Sequence, residues 1–180
     1  MNFNRENFIV IRYELYKLIE ADVIESLSQQ ELADQLFNQV EQVARDLSLP
    51  MTCAEKQKYV TELVNELVGL GPLQELVDDK SISDIMVNGP EKIFIERNGK
   101  IELTDIRFID EIQLQTLAKR IASMAGRRLD DSSPICDARL SDGSRVNMVL
   151  SPLVLDGTSI SIRKFKEEKL NLTDLVRFGA

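Results

Sequence analysis

Histidine and tryptophan are both absent from this chain of 180 residues. Without imidazole the chain has no ordinary general base at neutral pH and no serine or cysteine triad of the usual kind, which excludes most hydrolase mechanisms. The two cysteines, Cys53 and Cys136, are far apart and form no C-x-x-C pair. Neither a disulfide framework nor a metal site is therefore indicated, and this cysteine usage is typical of a reducing cytoplasm.

The sequence also lacks an excess of positive charge and a long apolar run. Lys and Arg number 22 against 30 Asp and Glu, which gives a net charge of -8 at pH 7. This acidic balance argues against a nucleic-acid partner. No stretch approaches the roughly 18 apolar residues of a membrane span, and the N-terminus lacks the apolar segment of a secretory signal. We therefore expect a soluble chain without direct membrane insertion.

Glycine is missing from residues 1–68, and proline occurs there only as Pro50, whereas all eight glycines lie further on. The same segment carries 6 basic and 12 acidic residues. This shift in composition predicts two units with a boundary near residue 68.

Apolar residues in the first unit recur at spacings of three and four, which predicts amphipathic helices. A first helix is expected over roughly residues 5–26. Ser28 with Glu31, and Thr52 with Glu55, form S/T-x-x-E capping boxes that predict the starts of two more. Three such helices can bury one another's apolar stripes, so residues 1–68 are predicted to form a three-helix bundle.

The second unit shows the alternation of short strands, with turn residues between them. Asn98-Gly99 is a strong hairpin signal, because both residues tolerate positive φ. Asp110 begins a helix that stops at Gly126, and Asp142-Gly143 marks another turn. Strands are predicted at 85–87, 92–96, 100–103, 138–140, 145–150 and 158–163. The predicted fold class is α+β, with a three-helix bundle followed by an antiparallel sheet that carries one packed helix.

No phosphate-binding glycine loop is present, because the only glycine–lysine pair, Gly99-Lys100, is followed by isoleucine. Arginines are the remaining candidates for chemistry, since a guanidinium offers planar, permanent donors for phosphate. The candidates are Arg127, Arg128, Arg139, Arg145 and Arg163. The alternative is that these arginines form ordinary surface pairs with nearby aspartates.

Seven motifs occur in a fixed order beyond residue 68. They are G-L-G-P-L at 69–73, S-D-I-M-V-N-G-P at 83–90, G-R-R at 126–128, D-S-S-P at 131–134, D-A-R-L at 137–140, D-G-S-R-V-N at 142–147 and I-R-K at 162–164. With these motifs the chain resembles the N-terminal region of secretion-superfamily ATPases. Within that superfamily it is most similar to the CpaF-like ATPases of tight-adherence (Flp type) pilus assembly.

The resemblance implies a PAS-like domain over residues 69–166 and, over 167–180, a linker that leads into a RecA-like ATPase domain. It implies a hexameric ring at the cytoplasmic face of the inner membrane, a membrane platform protein as partner, and ATP with Mg²⁺ as cofactors of the full-length protein. This chain is then expected to be a fragment that lacks the Walker A loop, carries no catalytic residue, binds no cofactor tightly and is inactive alone.

The resemblance also assigns phosphate contacts. Arg145 in G-S-R-V-N and Arg163 in I-R-K are expected to point toward one ATP held by the C-terminal domain, with Arg139 in D-A-R-L as a third candidate. Arg127 and Arg128 stay open, because the end of a helix favours cations for structural reasons. One departure from the family pattern is a serine at position 141, where proline is common. The alternative function is an autonomous PAS-like binding or scaffold module without nucleotide contact.

Overall fold

A computed structural model describes residues 4–19 and 27–165 of the chain. The chain divides into two compact units, Met1–Glu75 and Leu76–Ala180. The first is built from helices and the second around one antiparallel sheet, so the predicted α+β class is confirmed. The predicted start of an ATPase domain at 167–180 lies outside the described residues.

Three helices make up most of the first unit: α1 (Arg5–Tyr16), α2 (Gln29–Asp46) and α3 (Cys53–Val68). α1 contacts α2, and α2 contacts α3. Burying an aliphatic or aromatic side chain fully contributes about 1.5–3 kcal/mol, so the apolar stripes hold this unit together. The buried stripe residues are Phe8, Ile11, Leu15, Leu32, Leu36, Val40, Val43, Tyr59, Val60, Leu63 and Val64.

Polar contacts also join α1 to α3. Nε of Arg12 donates to both carboxylate oxygens of Glu66, at 2.8 and 2.9 Å. The hydroxyl of Tyr59 donates to the carbonyl oxygen of Asn4 at 2.7 Å. The Tyr59 ring packs edge-on against Phe8, with 5.3 Å between ring centroids.

Both predicted capping boxes are present. Oγ of Ser28 accepts from the backbone N–H of Glu31, while the Glu31 carboxylate accepts from the backbone N–H of Ser28. Thr52 and Glu55 make the same reciprocal pair at the start of α3. Each box satisfies two N–H groups that a first helical turn otherwise leaves unpaired.

The first helix is shorter than predicted, and the expectation that it continues through residues 17–19 is wrong. α1 ends at Tyr16, where the N–H groups of Lys17 and Leu18 bond to carbonyls three residues back. Leu18 is 62% exposed, so it adds no core contact that would stabilise another turn. Residues 20–26 of the predicted helix lie outside the described residues.

α3 ends where predicted, at Gly69, whose N–H donates to the carbonyl of Asn65 at 3.0 Å. A 3₁₀ turn at Gly71–Leu73 and the short helix α4 (Gln74–Asp78) lead on toward the sheet. Leu73 is fully buried, which anchors this connection.

The six strands are β1 (Ile82–Asn88), β2 (Lys92–Arg97), β3 (Lys100–Leu103), β4 (Ile135–Arg139), β5 (Arg145–Val149) and β6 (Ser159–Arg163). They form one antiparallel sheet in the order β3-β2-β1-β6-β5-β4. The chain therefore runs outward from the centre to one edge, and returns from the other edge to the centre. Between β3 and β4 lies α5 (Glu111–Met124), which begins at the predicted cap, Asp110.

The strands alternate between a buried and an outer face, as a half-covered sheet requires. The buried face carries Ile85, Val87, Ile93, Ile95, Cys136, Val146, Met148, Ile160 and Ile162. α5 contacts β4 on the sheet and buries Leu114, Leu117 and Ile121. Residues between these apolar positions lie on the outer face, which therefore carries the polar side chains of β4, β5 and β6.

The predicted hairpin turn connects β2 to β3. Asn98 and Gly99 have φ values of +52° and +75°, and Arg97 pairs directly with Lys100. Two consecutive positive φ angles are what a type I′ turn requires. At the other edge the observed strand bounds differ slightly from those predicted, since β4 begins at Ile135, three residues earlier than expected.

Candidate anion-binding site

One row of five charged residues crosses the outer face of the sheet. Arg139 on β4 pairs with Arg145 on β5, and Arg145 pairs with Arg163 on β6. Arg163 pairs in turn with Asp84 on β1, which pairs with Glu96 on β2. Directly opposed residues in antiparallel strands have Cβ atoms about 4.5–5.5 Å apart and lie on the same face. The three arginines assigned by the motifs are therefore immediate neighbours.

Arg163 is fixed by a carboxylate at the end of the basic part of this row. Its Nε donates to Oδ1 of Asp84 at 3.0 Å. The side chain of Arg163 is 78% exposed, whereas that of Asp84 is only 18% exposed. The hydrogen bond and the charge of Asp84 raise the pKa of Arg163 above its ordinary value.

In the part of the chain that the structure describes, Arg139 and Arg145 have no such partner. Among residues 4–19 and 27–165, no carboxylate lies within 4 Å of either guanidinium. Two of the nearby aspartates bond elsewhere, since Asp137 accepts from Asn147 at 3.0 Å and Asp142 accepts from Ser144. Because like charges opposite each other repel, this arrangement favours an anion that lies between them.

An open groove of about 560 Å³ runs along the same strands. Four arginines line it, Arg127 together with the three arginines of the row, against two aspartates, Asp84 and Asp137. Asn147 and Ser161, one pleat further along β5 and β6, add neutral hydrogen-bonding groups. The surplus of guanidinium groups suits phosphate oxygens, which arginine binds through paired N–H donors.

The two arginines after α5 have different surroundings. Arg127 lines the groove. Arg128 donates through Nε to Asp130 and through Nη2 to Oγ of Ser132, the latter at 3.1 Å. Hydrogen bonds from Ser132 and Arg128 hold the pKa of Asp130 well below its usual range. Arg128 is therefore bound to a local acid, while Arg127 faces the candidate site.

Asp84 is the residue of this site that sequence reasoning did not identify. It belongs to the S-D-I-M-V-N-G-P motif, which carried no predicted role. The available signal was an acidic residue between apolar residues next to a predicted strand, and the structure shows Ile82, Ile85 and Val87 buried around it in the sequence. Its partner is 79 residues away in the sequence, so local pattern alone does not connect the two.

The described part of the chain offers no group of three or more acidic or cysteine side chains arranged to hold a metal ion. Over the same residues, none of the helices has the length and apolar character needed to cross a membrane. The chemistry that the groove supports is electrostatic recognition of an anion.

Comparison with known proteins decides the family. The family model for type II/IV secretion system proteins matches residues 66–180, more than half of the chain. The chain belongs to this family. It is 34% identical over 137 residues to a protein of Methanocaldococcus jannaschii, covering 74% of this chain and 25% of that protein.

Two further relatives carry informative names. Over 124 residues the chain is 33% identical to a protein of Mycobacterium tuberculosis named for conjugal transfer, covering 66% of this chain and 35% of the relative. It is 32% identical over 111 residues to the type IV secretion protein VirB11 of Brucella suis, covering 61% of this chain and 31% of VirB11. The chain thus spans between a quarter and about a third of the length of these relatives.

A solved structure shares the fold. The VirB11 ATPase from the Brucella suis type IV secretion system, solved in complex with sulphate, matches with a TM-score of 0.55 and 29% identity. The match covers 61% of this chain and 34% of VirB11. The superfamily resemblance seen in the motifs is therefore confirmed.

Proposed function

We propose that this chain is the N-terminal region of a CpaF-like ATPase of tight-adherence pilus assembly. In this proposal Arg145 and Arg163, with Arg139 beside them, contact the phosphates of an ATP molecule held by a RecA-like domain of the full-length protein. Membership of the type II/IV secretion family supports this function, as does the ordered motif series beyond residue 68.

The observation that carries the proposal is the in-register row of three arginines. Of these, only Arg163 has a carboxylate partner within residues 4–19 and 27–165. Charge repulsion between neighbouring strands costs stability, and a bound polyphosphate would reverse that cost. The remaining donors of all three side chains lie on the open face of the sheet.

This arrangement would make closure of the two domains depend on the nucleotide. A γ-phosphate brings extra negative charge to the guanidinium groups, so ATP gains more from them than ADP does. A hydrogen bond to a charged group contributes about 1.5–3 kcal/mol, and about 1.4 kcal/mol shifts an equilibrium tenfold. Two such contacts are therefore sufficient to convert ATP hydrolysis into domain motion.

The wider assembly belongs to the same proposal. Residues 69–166 act as a PAS-like N-terminal domain, and 167–180 lead into the ATPase domain. The full-length protein forms a hexamer in the cytoplasm, bound to an inner-membrane platform protein, and uses ATP with Mg²⁺. The donor set of the groove fits the phosphates of that nucleotide, while the magnesium ligands would come from the ATPase domain.

The test is ATP hydrolysis by the full-length protein. Arg145→Ala is expected to lower the turnover number at least about tenfold, given the energy of a charged hydrogen bond, while circular dichroism stays unchanged. Arg128→Ala is the matched control and should retain activity, because that side chain is held by Asp130. Wild-type turnover in Arg145→Ala, or the absence of a G-x-x-x-x-G-K-S/T loop within about 60 residues of Ala180 in the reading frame, would refute the proposal.

A further inference from the structure

We propose that Asp84 is a positioning residue that holds Arg163 with its terminal nitrogens directed at the anion. This inference rests on the function proposed above. Asp84 lies where the basic part of the charged row meets its acidic part, with Arg163 on one side and Glu96 on the other. Among the described residues, the hydrogen bond that joins its side chain to this row is the 3.0 Å bond from Nε of Arg163.

The choice of nitrogen is the key geometric fact. An arginine offers donors on Nε and on two terminal nitrogens, Nη1 and Nη2. Asp84 engages Nε, and within the described residues no hydrogen bond occupies Nη1 or Nη2 of Arg163. Asp84 and an anion can therefore bind the same guanidinium together, and the carboxylate does not block the site.

The benefit of the contact follows from exposure. The side chain of Arg163 is 78% exposed, and a long exposed side chain loses much rotamer freedom when it is held by a ligand. Asp84 is 18% exposed and lies on β1, which is paired on both sides. The bond from this fixed carboxylate removes part of that freedom before the anion arrives, which is preorganisation.

Removing Asp84 has a second effect that a single variant cannot separate from the first. The carboxylate contributes one negative charge near the anion, so its loss strengthens anion binding electrostatically while loosening Arg163. A double-mutant cycle isolates the positioning effect, because the charge effect of Asp84 is the same with and without Arg163. Glu96 provides the matched control, since it lies one strand further along the same row and makes no hydrogen bond to Arg163 among the described contacts.

The experiment measures binding of inorganic tripolyphosphate to the 180-residue chain by calorimetry at low salt. Arg163→Gln should weaken binding about fivefold in the wild-type background and less than about twofold in the Asp84→Ala background, as expected for neighbours that interact. In the Glu96→Gln background the loss should remain about fivefold. Equal losses in all three backgrounds overturn the role of Asp84 while leaving the proposed function intact.

A second measurement follows the Nε–H signal of Arg163 by nitrogen-15 NMR. The signal should remain protected from exchange when tripolyphosphate saturates the wild-type chain, and should lose that protection in Asp84→Ala. If tripolyphosphate abolishes the protection, Asp84 competes with the anion and the inference fails. If Asp84→Ala does not fold, the measurement on the wild-type chain is enough to show whether Asp84 and the anion bind Arg163 together. No effect of Arg163→Gln in any background refutes the phosphate role itself. Absence of tripolyphosphate binding overturns the inference about Asp84, and the turnover of Arg145→Ala in the full-length protein then decides the phosphate role.

Discussion

Arg145 lies directly opposite Arg163 in the register of β5 and β6, so two permanently positive side chains are neighbours on an exposed face. Arg139 adds a third charge on the other side of Arg145. Only Asp84 offsets any of this charge through a direct bond, among the residues that the structure describes. Arg145, which lies between the other two arginines, therefore lowers the stability of the fold but suits the binding of an anion.

The first prediction concerns this conflict between stability and binding. Arg145→Gln should raise the free energy of unfolding by about 0.2–1 kcal/mol, because it removes two like-charge contacts. It should also weaken tripolyphosphate binding about fivefold. Urea titration at low and high salt measures the first effect, and the gain should shrink when salt screens the repulsion. A loss of stability in Arg145→Gln would contradict this account.

The second prediction separates the two arginines after α5. Arg127→Ala should weaken tripolyphosphate binding by about two- to threefold, because the side chain lines the groove and contributes an exposed charge. Arg128→Ala should leave binding unchanged, since Arg128 bonds to Asp130 and Ser132. Calorimetric titration of the two variants side by side gives the comparison, and equal losses would show that only the summed charge matters.

The third prediction compares two glycines with similar backbone angles. Gly89 has a φ of +69°, and a Cβ there would lie 2.1 Å from the carbonyl oxygen of Asp156. Gly99 has a φ of +75° but no atom within 4 Å of such a Cβ. Gly99→Ala should therefore lose about 1 kcal/mol of stability from backbone strain alone. Gly89→Ala should lower the free energy of unfolding clearly more, as measured by urea titration. Equal losses would mean that the backbone around Asp156 can move aside at little cost.

The fourth prediction concerns acid stability of the helical unit. Hydrogen bonds from the backbone and hydroxyl of Thr52 lower the pKa of Glu55 below its usual 4.5. A carboxyl with a lowered folded-state pKa contributes stability that is present above the unfolded pKa and is lost as the pH falls through the folded one. Stability should therefore decline below about pH 4.5, and Glu55→Gln should make this decline shallower. Urea titrations between pH 7 and about pH 3 test it, and Glu6→Gln, an exposed residue in the first turn of α1, is a control outside the capping box.

Local signals in the sequence predicted most of the elements. The capping residues at Ser28 and Thr52 and the turn residues at Asn98-Gly99 act within a few positions, so their effect can be deduced from the sequence alone. The end of α1 was misplaced because apolar spacing continues through Leu18 and Ile19, with no glycine or proline to stop it. Leu18 is largely exposed in the structure, so its side chain adds little burial that would stabilise a further turn, and no local pattern encodes that exposure.

The candidate site was predicted in its arginine residues, but the carboxylate that holds Arg163 was not. The Asp142-Gly143 turn made the pairing of Arg139 with Arg145 accessible, because a short hairpin loop limits the register. The pairing of β6 with β1 brings Asp84 to Arg163. These two strands are neighbours in the sheet but are far apart in the sequence of the second unit. Long-range pairing of this kind is set by how the whole sheet closes, so Asp84 remained unassigned.

The strand order β3-β2-β1-β6-β5-β4 limits when the sheet can be completed during translation. Within residues 27–165, β6 is the last strand to be translated, so the β1–β3 meander and the β4–β5 hairpin are joined only when β6 pairs with both β1 and β5. Contacts between residues distant in sequence slow folding, and here the closing strand ends at Arg163 itself. A nascent chain that stops before Arg163 would contain most of the sheet but would lack a complete β6, the strand that pairs with both β1 and β5.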